Sequence, residues 1–215
     1  MFSNQKKLFT GLGIIILLIS IFLAFEIKKT LSISTKTIAE PIVAETATPL
    51  KVSQENRVLG AGELWIVTYL DFNDSKSRKL YQTLADFVNS NPTKAQLFLK
   101  HTPVAGLFGD NALPNKAAWC AHQQKKLPQF MNALLAGNNI KESGLRAAAA
   151  SAELNINMWW TCANGEKAKT AVNKDTEEAI QLKLGKPPLI FINNKKISTI
   201  QDFDLNELLN SLIAE

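Results

Sequence analysis

Residues 69–80, YLDFNDSKSRKL, form a junction of a kind at which proteins often place reactive side chains. The run WIVTYLDF that ends there is β-branched and aromatic and predicts a buried strand, and KSRKLYQTLADFV after it predicts a helix. A cysteine pair at the helix start would suit thiol–disulfide exchange, because a helix N-terminus stabilises a thiolate. This junction instead carries Asp74, Ser75, Lys76 and Ser77, none of which is a thiol.

Other chemistry at the junction also lacks the groups it would need. Ser77 would need a general base to act as a nucleophile, but the two histidines, His101 and His122, fit no recognisable triad pattern. Zinc would need more ligands than two cysteines and two scattered histidines readily supply. We therefore predict no catalytic residue, no cofactor and no metal site, and we expect Asp74 or Ser75 to be a helix N-cap.

The segments around the junction predict an α/β fold. Residues 63–72 read as a strand, residues 76–90 place apolar side chains at helical spacing, and residues 94–104 form a second strand stopped by Pro103. A strand, a helix and a strand within roughly 40 residues make a βαβ unit whose two strands are parallel.

Helix-forming segments follow this unit. Residues 116–136 are compatible with a helix, although Pro128 must start a new helix or kink this one. Residues 142–153 are rich in alanine, and residues 164–184 form a helical segment that ends at Gly185, a natural C-cap residue.

The C-terminal part predicts two more strands and a helix. PPLIFINNKKIS contains two short strands joined by Asn193 and Asn194, a hairpin signal. DFDLNELLNSLIAE is an amphipathic helix with Asp202 or Asp204 as its N-cap. The predicted order is therefore β-α-β, a block of helices, and β-β-α.

The N-terminal part predicts a membrane anchor. Lys6 and Lys7 precede an uncharged run of about 18 residues, from Leu8 to Phe25, which is long enough to cross a bilayer. The residues before Glu26 do not resemble a cleavage site, which favours an uncleaved signal anchor over a cleaved signal peptide.

This anchor divides the rest of the chain. Residues 1–7 are expected in the cytoplasm, and the body of the protein, C-terminal to a first N-terminal span, is expected outside it. Residues 26–57 are rich in Ser, Thr, Ala, Glu and Pro and predict a flexible linker. The net charge of +5 comes with no long Lys/Arg block, so no nucleic-acid role is expected.

The order of the elements and three short motifs resemble the DsbA-like family of bacterial envelope thiol–disulfide oxidoreductases, which have a thioredoxin fold. DFNDSKS at 71–77 matches the family pattern D-F-x-C-P-x-C, and HTP at 101–103 matches the end of its second strand. GKPPLIFINN at 185–194 matches G-x-P-T-F-F-I-N-G, which makes Pro188 the counterpart of the family's cis-proline. The resemblance covers about residues 58–215.

The resemblance implies a thioredoxin-like fold with a helical insertion at about 112–184, but a site without its chemistry. The family's two active cysteines correspond to Asp74 and Ser77, and a carboxylate and a hydroxyl can neither form nor resolve a mixed disulfide. The residue before the family's cis-proline also offers its backbone N–H to a bound peptide. Pro187 stands there and has no N–H.

The two cysteines, Cys120 and Cys162, lie 42 positions apart within the helical insertion, with no C-x-x-C spacing. The resembling family often carries a second, non-catalytic pair at similar places, which implies a structural disulfide here. Two alternatives remain open at this point, a redox-active pair and two buried free thiols.

These observations lead to one favoured hypothesis and two alternatives. The favoured one is a non-catalytic protein anchored by a single span in the bacterial inner membrane, with its folded domain in the periplasm, binding or scaffolding envelope proteins, for example in a secretion or assembly complex. The first alternative is a divergent oxidoreductase that uses Cys120 and Cys162. The second is a holdase-like periplasmic chaperone, against which Pro187 argues. The partner proteins are not indicated by the sequence.

Overall fold

The computed structural model describes Phe22 and residues 47–104, 111–197 and 205–214. Apart from Phe22, these residues all belong to the C-terminal unit of the chain, residues 41–215. Among them, no helix has both the length and the apolar character needed to cross a membrane. The predicted span from Leu8 to Phe25, Phe22 excepted, lies outside the described residues.

A mixed five-stranded sheet lies at the centre of the domain. Its strands are β1 (Arg57–Gly60), β2 (Leu64–Leu70), β3 (Ala95–His101), β4 (Leu189–Ile192) and β5 (Lys195–Lys196). Their order across the sheet is β1-β3-β2-β4-β5. β2 and β3 are parallel, as the βαβ prediction required, and the other pairs are antiparallel.

Seven α-helices surround the sheet in the described part of the chain. They are α1 (Ser75–Ser90), α2 (Leu113–Gln123), α3 (Leu127–Gly137), α4 (Glu142–Ser151), α5 (Ile156–Ala163), α6 (Glu166–Gln181) and α7 (Leu205–Ala214). α1 connects β2 to β3, and α2 to α6 form the predicted insertion between β3 and β4. Pro128 lies in the first turn of α3, so it starts a new helix rather than kinking a continuous one.

The sheet is covered on both faces. Alternate residues of β2 enter two different apolar clusters: Ile66 and Leu70 join the larger cluster, which includes α1 to α5, and Val67 and Tyr69 join a smaller one with α6. Every residue of β3 is buried. A strand buried on both faces has a nearly continuous apolar sequence, which explains why WIVTYL and AQLFL read so clearly as strands.

The hairpin between β4 and β5 follows the sequence prediction. Asn193 and Asn194 have φ angles of 47° and 66°. Two consecutive positive φ angles are those of a two-residue type I′ turn, and asparagine tolerates this region well. The proposed N-caps of α7, Asp202 and Asp204, lie outside the described residues.

The folded domain begins earlier than predicted, which corrects the linker assigned to residues 26–57. The Thr48 N–H donates to the Asn194 carbonyl at 2.7 Å, and Leu50 and Val52 pack against the smaller apolar cluster. A short 3₁₀ helix, Gln54–Asn56, then leads into β1. The sequence did not reveal this attachment because single apolar residues in a polar run produce no periodic pattern.

Candidate functional site

The turn at residues 71–77 leaves the end of β2 and enters α1. The Asp74 N–H donates to the Asp71 carbonyl at 2.9 Å. The Asp74 carboxylate is the N-cap of α1, accepting from the Lys76 N–H at 3.2 Å and from the Ser77 N–H at 2.9 Å. The predicted capping is therefore present, and a negative charge lies at the positive end of the helix dipole.

The side chains of this turn are not arranged for nucleophilic attack. Ser77 is fully buried; its hydroxyl donates to an Asp74 carboxylate oxygen and accepts from the Asp71 N–H, both at 3.2 Å. Ser75 and Lys76 are exposed, and the N-cap Asp74 is half-buried. A buried hydroxyl that makes two structural hydrogen bonds cannot reach a substrate in solution.

Phe72 packs in the core beneath the turn. Its side chain is fully buried, with ring centroids 6.0 Å from Tyr81 and 5.9 Å from His101, both edge to face. Its carbonyl accepts from the Arg78 guanidinium at 2.8 Å, and its N–H donates to Asn115 Oδ1 at 3.0 Å. Side chains of α1 and α2 therefore complete the backbone hydrogen bonds of the turn.

Asn115, at the start of α2, also holds the end of the central strands. Its Nδ2 donates to the Leu70 carbonyl at 2.8 Å and lies 3.4 Å from His101 Nδ1. Burial lowers the pKa of His101 to about 3, with His122 and Lys100 adding to the effect, so the ring is neutral at ordinary pH. A fully buried, neutral His101 is a structural group of this site.

Asp71 ties the turn to the segment after β3. Its Oδ1 accepts from the N–H and the side-chain amide of Asn73, each at 2.9 Å, and its Oδ2 accepts from the Val104 N–H at 3.0 Å. The Asn73 amide also donates to the Asn111 carbonyl. These roles of Asp71 are not visible in the sequence, because a polar residue after a strand does not reveal which distant backbone group it contacts.

The proline segment lies beside the same turn. The peptide bond between Pro187 and Pro188 is cis, as the resemblance implied. β4 pairs with β2 so that Leu189 lies opposite Tyr69, which carries Pro188 to the end of β2 where the turn begins. Pro187, next to it, has no N–H to donate to a bound peptide.

The two cysteines form a disulfide that joins α2 and α5. Cys120 and Cys162 have Cα atoms 5.9 Å apart, and Cys120 is 1% exposed. Neither residue lies at a helix N-terminus, where a thiolate would be stabilised. The pairing is the one that the resemblance implied.

A buried ion cluster, which no sequence pattern indicates, lies behind β3. Lys100 Nζ lies 3.2 Å from an Asp175 carboxylate oxygen and 2.8 Å from one of Glu178, and all three side chains are buried. Asp175 also accepts from the His101 N–H, and Glu178 accepts from the Lys51 N–H. Burial raises the pKa of Asp175, whereas Lys100 and the His101 N–H act to lower it.

The described residues contain no group of three or more His, Cys, Asp or Glu side chains that could hold a metal ion. The site consists of the hydrogen-bonded turn, the cis-proline and a groove between the proline segment and α6.

Comparison with known proteins identifies the fold. No protein-family model and no curated protein matches the chain. Solved structures do match: a thioredoxin-like oxidoreductase from Silicibacter pomeroyi is 17% identical, with a TM-score of 0.59 and coverage of 83% of this chain and 94% of its own. The thiol–disulfide exchange protein alpha-DsbA2 from Wolbachia pipientis is 15% identical, with a TM-score of 0.61 and coverage of 73% and 84%.

BdbD from Bacillus subtilis, in its oxidised form, is 14% identical, with a TM-score of 0.62 and coverage of 79% of this chain and 99% of its own. These neighbours are thioredoxin-fold proteins of the DsbA-like type, and their similarity extends over most of their own length. The mixed sheet, the inserted helices and the cis-proline beside the strand-to-helix turn agree with that result. The chain therefore has the DsbA-like thioredoxin fold.

Proposed function

We propose that this protein is a non-catalytic, membrane-anchored binding module of the bacterial cell envelope, built on the DsbA-like thioredoxin fold. One observation carries the proposal. At the start of α1, where the resembling oxidoreductases hold their cysteines, Asp74 caps the helix and Ser77 is buried in structural hydrogen bonds. The turn is complete as a structural element without any group that could exchange a disulfide.

The chemistry of exchange explains why this substitution matters. One thiolate must attack a disulfide, and a second thiol must resolve the mixed disulfide that results. Asp74 places a carboxylate at the attacking position, and its charge is satisfied by the N–H groups of α1. Ser77 places a hydroxyl at the resolving position, and a hydroxyl cannot replace the thiol that resolves the mixed disulfide.

The oxidoreductase that would use Cys120 and Cys162 is the second candidate, since the fold is compatible with such activity. It is disfavoured because Cys120 is buried within α2 and neither cysteine has a helix N-terminus to lower its pKa. A holdase-like chaperone is disfavoured because Pro187 cannot donate the hydrogen bond that strand addition by a client peptide uses.

The anchor and the location form part of the same proposal. The uncharged run from Leu8 to Phe25 is long enough to span a bilayer. A disulfide between Cys120 and Cys162 is stable in an oxidising compartment such as the periplasm. The folded domain would then face the periplasm and bind other envelope proteins there, for example within a secretion or assembly complex.

An insulin-reduction assay and a refolding assay on the full-length protein in detergent test the proposal. The wild type is expected to be inactive, and Asp74→Cys with Ser77→Cys is expected to gain activity. Asp74→Cys alone, which has no resolving thiol, is the matched control and should stay inactive. Wild-type activity above the no-protein rate would overturn the proposal, and its loss in Cys120→Ala with Cys162→Ala would favour the second candidate.

A further inference from the structure

A groove of about 400 Å³ opens next to the proline segment. One wall is formed by residues 102–104, which follow β3. The other is formed by α6 residues between Thr176 and Ile180 and by Lys183, which follows the end of α6, and residues 185–187 also line the groove. Its volume lies in the range of sites that hold small ligands or a side chain of a partner.

The walls of the groove carry exposed apolar side chains. Ile180 is 68% exposed and Val104 is 45% exposed, which makes them two of the few large apolar side chains exposed in the described part of the chain. Ala179 and Pro103 also line the groove. Exposed apolar side chains gathered in one concave surface are typical of an interaction site.

The groove is positively charged. Lys183 and Lys186 line it and are both exposed, and among the described residues that line it there is no carboxylate. Glu177 is also exposed on α6 but is not a lining residue. A ligand that complements this surface should therefore present an apolar group together with negative charge.

We propose that this groove docks an acidic segment of a partner protein. An apolar side chain of that segment lies between Val104 and Ile180, and its carboxylates pair with Lys183 and Lys186. The inference rests on the proposed function as a binding module and gives that module a site. Side chains, rather than strand addition, hold the segment, because Pro187 offers no N–H.

Peptide binding to the full-length protein in detergent tests the proposal. The probe is a short fluorescein-labelled peptide with a central Leu flanked by Asp and Glu, measured by fluorescence anisotropy. Two matched peptides replace either the acids by Lys or the Leu by Ser. Both are expected to bind about tenfold more weakly or worse, and binding of the acidic probe should weaken as salt is raised.

Variants locate the binding surface. Lys183→Glu with Lys186→Glu should weaken binding about tenfold, since two attractive pairs become repulsive. The matched control is Lys167→Glu with Lys169→Glu, an equal charge change at exposed positions in the first turns of α6, and it should change binding less than about twofold.

Three results would overturn the proposal: no binding of the acidic probe, equal binding of the lysine peptide, or equal losses in the two charge-reversal pairs. A fourth is a dimer, seen by analytical ultracentrifugation, that Lys183→Glu with Lys186→Glu dissociates, because the occupant would then be a second copy of the chain. The insulin assay on the same samples separates the two proposals. A redox-silent protein that fails to bind the probe refutes the groove alone, whereas a redox-active protein that binds it refutes only the non-catalytic function.

Discussion

Removing the positive charge of the buried ion cluster should destabilise the protein strongly. Lys100 lies between Asp175 and Glu178, and the side chains of all three are less than a tenth exposed. Lys100→Met keeps a long apolar chain in the same space and removes only the ammonium group. Two carboxylates are then left behind β3 with their cation gone.

The magnitude follows from what each carboxylate retains. Breaking a buried ion pair by removing one partner costs about 3–5 kcal/mol, because an uncompensated charge remains. Here Asp175 still accepts from the His101 N–H at 2.9 Å, and Glu178 still accepts from the Lys51 N–H at 2.7 Å. Each of these hydrogen bonds offsets part of the loss, so we expect Lys100→Met to lower the free energy of unfolding by about 3 kcal/mol, the lower end of that range.

The loss of stability in Lys100→Met should depend on pH in a direction that follows from the pKa of Asp175. Burial raises the pKa of Asp175 above its ordinary value of 3.8, and Lys100 opposes this shift. Without Lys100 the pKa of Asp175 rises further, so the folded variant holds a proton that the unfolded chain releases. Asp175 then contributes less to the stability of the variant as pH rises from its pKa in the unfolded chain to its pKa in the folded variant. The difference in unfolding free energy between wild type and Lys100→Met should therefore grow with pH over that range.

The loss of stability and its pH dependence can be measured by urea unfolding at neutral pH and near pH 4. Circular dichroism monitors the unfolding, and the disulfide is kept oxidised. The control is Lys100→Met with Asp175→Asn and Glu178→Gln, which removes the stranded charges and should recover most of the loss. A Lys100→Met variant within about 1 kcal/mol of wild type at neutral pH would refute the reasoning. So would a triple variant as unstable as the single one, since the damage would then come from packing rather than charge.

Three further perturbations have expected outcomes. Asp74→Ala should lower the free energy of unfolding by about 1 kcal/mol in urea titrations, whereas Asp74→Asn, an equally good cap, should leave it nearly unchanged; equal losses would argue against capping. Cys120→Ala with Cys162→Ala should lower the free energy of unfolding by about 4 kcal/mol, because the unfolded chain regains the entropy that the disulfide removes by linking residues 42 positions apart. Reduction of the wild type by dithiothreitol should reproduce this loss. Burial lowers the pKa of His101 in the folded protein to about 3, whereas a histidine in the unfolded chain takes up a proton below about pH 6.5. Wild-type stability should therefore fall as pH is lowered from 6.5 to 3. His101→Gln should flatten that slope in unfolding experiments across the same range, and an unchanged slope would assign it to other groups.

Local sequence patterns predicted the elements that carry strong periodicity. β2, β3 and α1 were each predicted within a few residues of their observed bounds, since buried strands and amphipathic helices have distinct apolar patterns. Special residues predicted local geometry equally well. Pro128 begins α3, and Asn193 and Asn194 form the hairpin turn.

What the sequence could not show are contacts between residues far apart in the chain. β1 was missed because four half-buried residues next to glycines carry no clear alternation, and it forms only by pairing with β3. The cluster of Lys100 with Asp175 and Glu178 was missed for the same reason. A lysine in a strand and two acids in a helix more than 70 positions away look like solvated charges until the fold brings them together.

The candidate site shows why a strand-to-helix turn can persist when it has no exchange chemistry. Asp74 satisfies donors of α1, and Asp71 joins the turn to the segment after β3. Asn115 links the turn to α2 by accepting from the Phe72 N–H and donating to the Leu70 carbonyl. Each bond completes a backbone group that burial would otherwise leave unpaired, at a cost of about 1–3 kcal/mol apiece. The turn is thus required by the fold itself, and the binding function that we propose would use another surface, such as the basic groove beside α6.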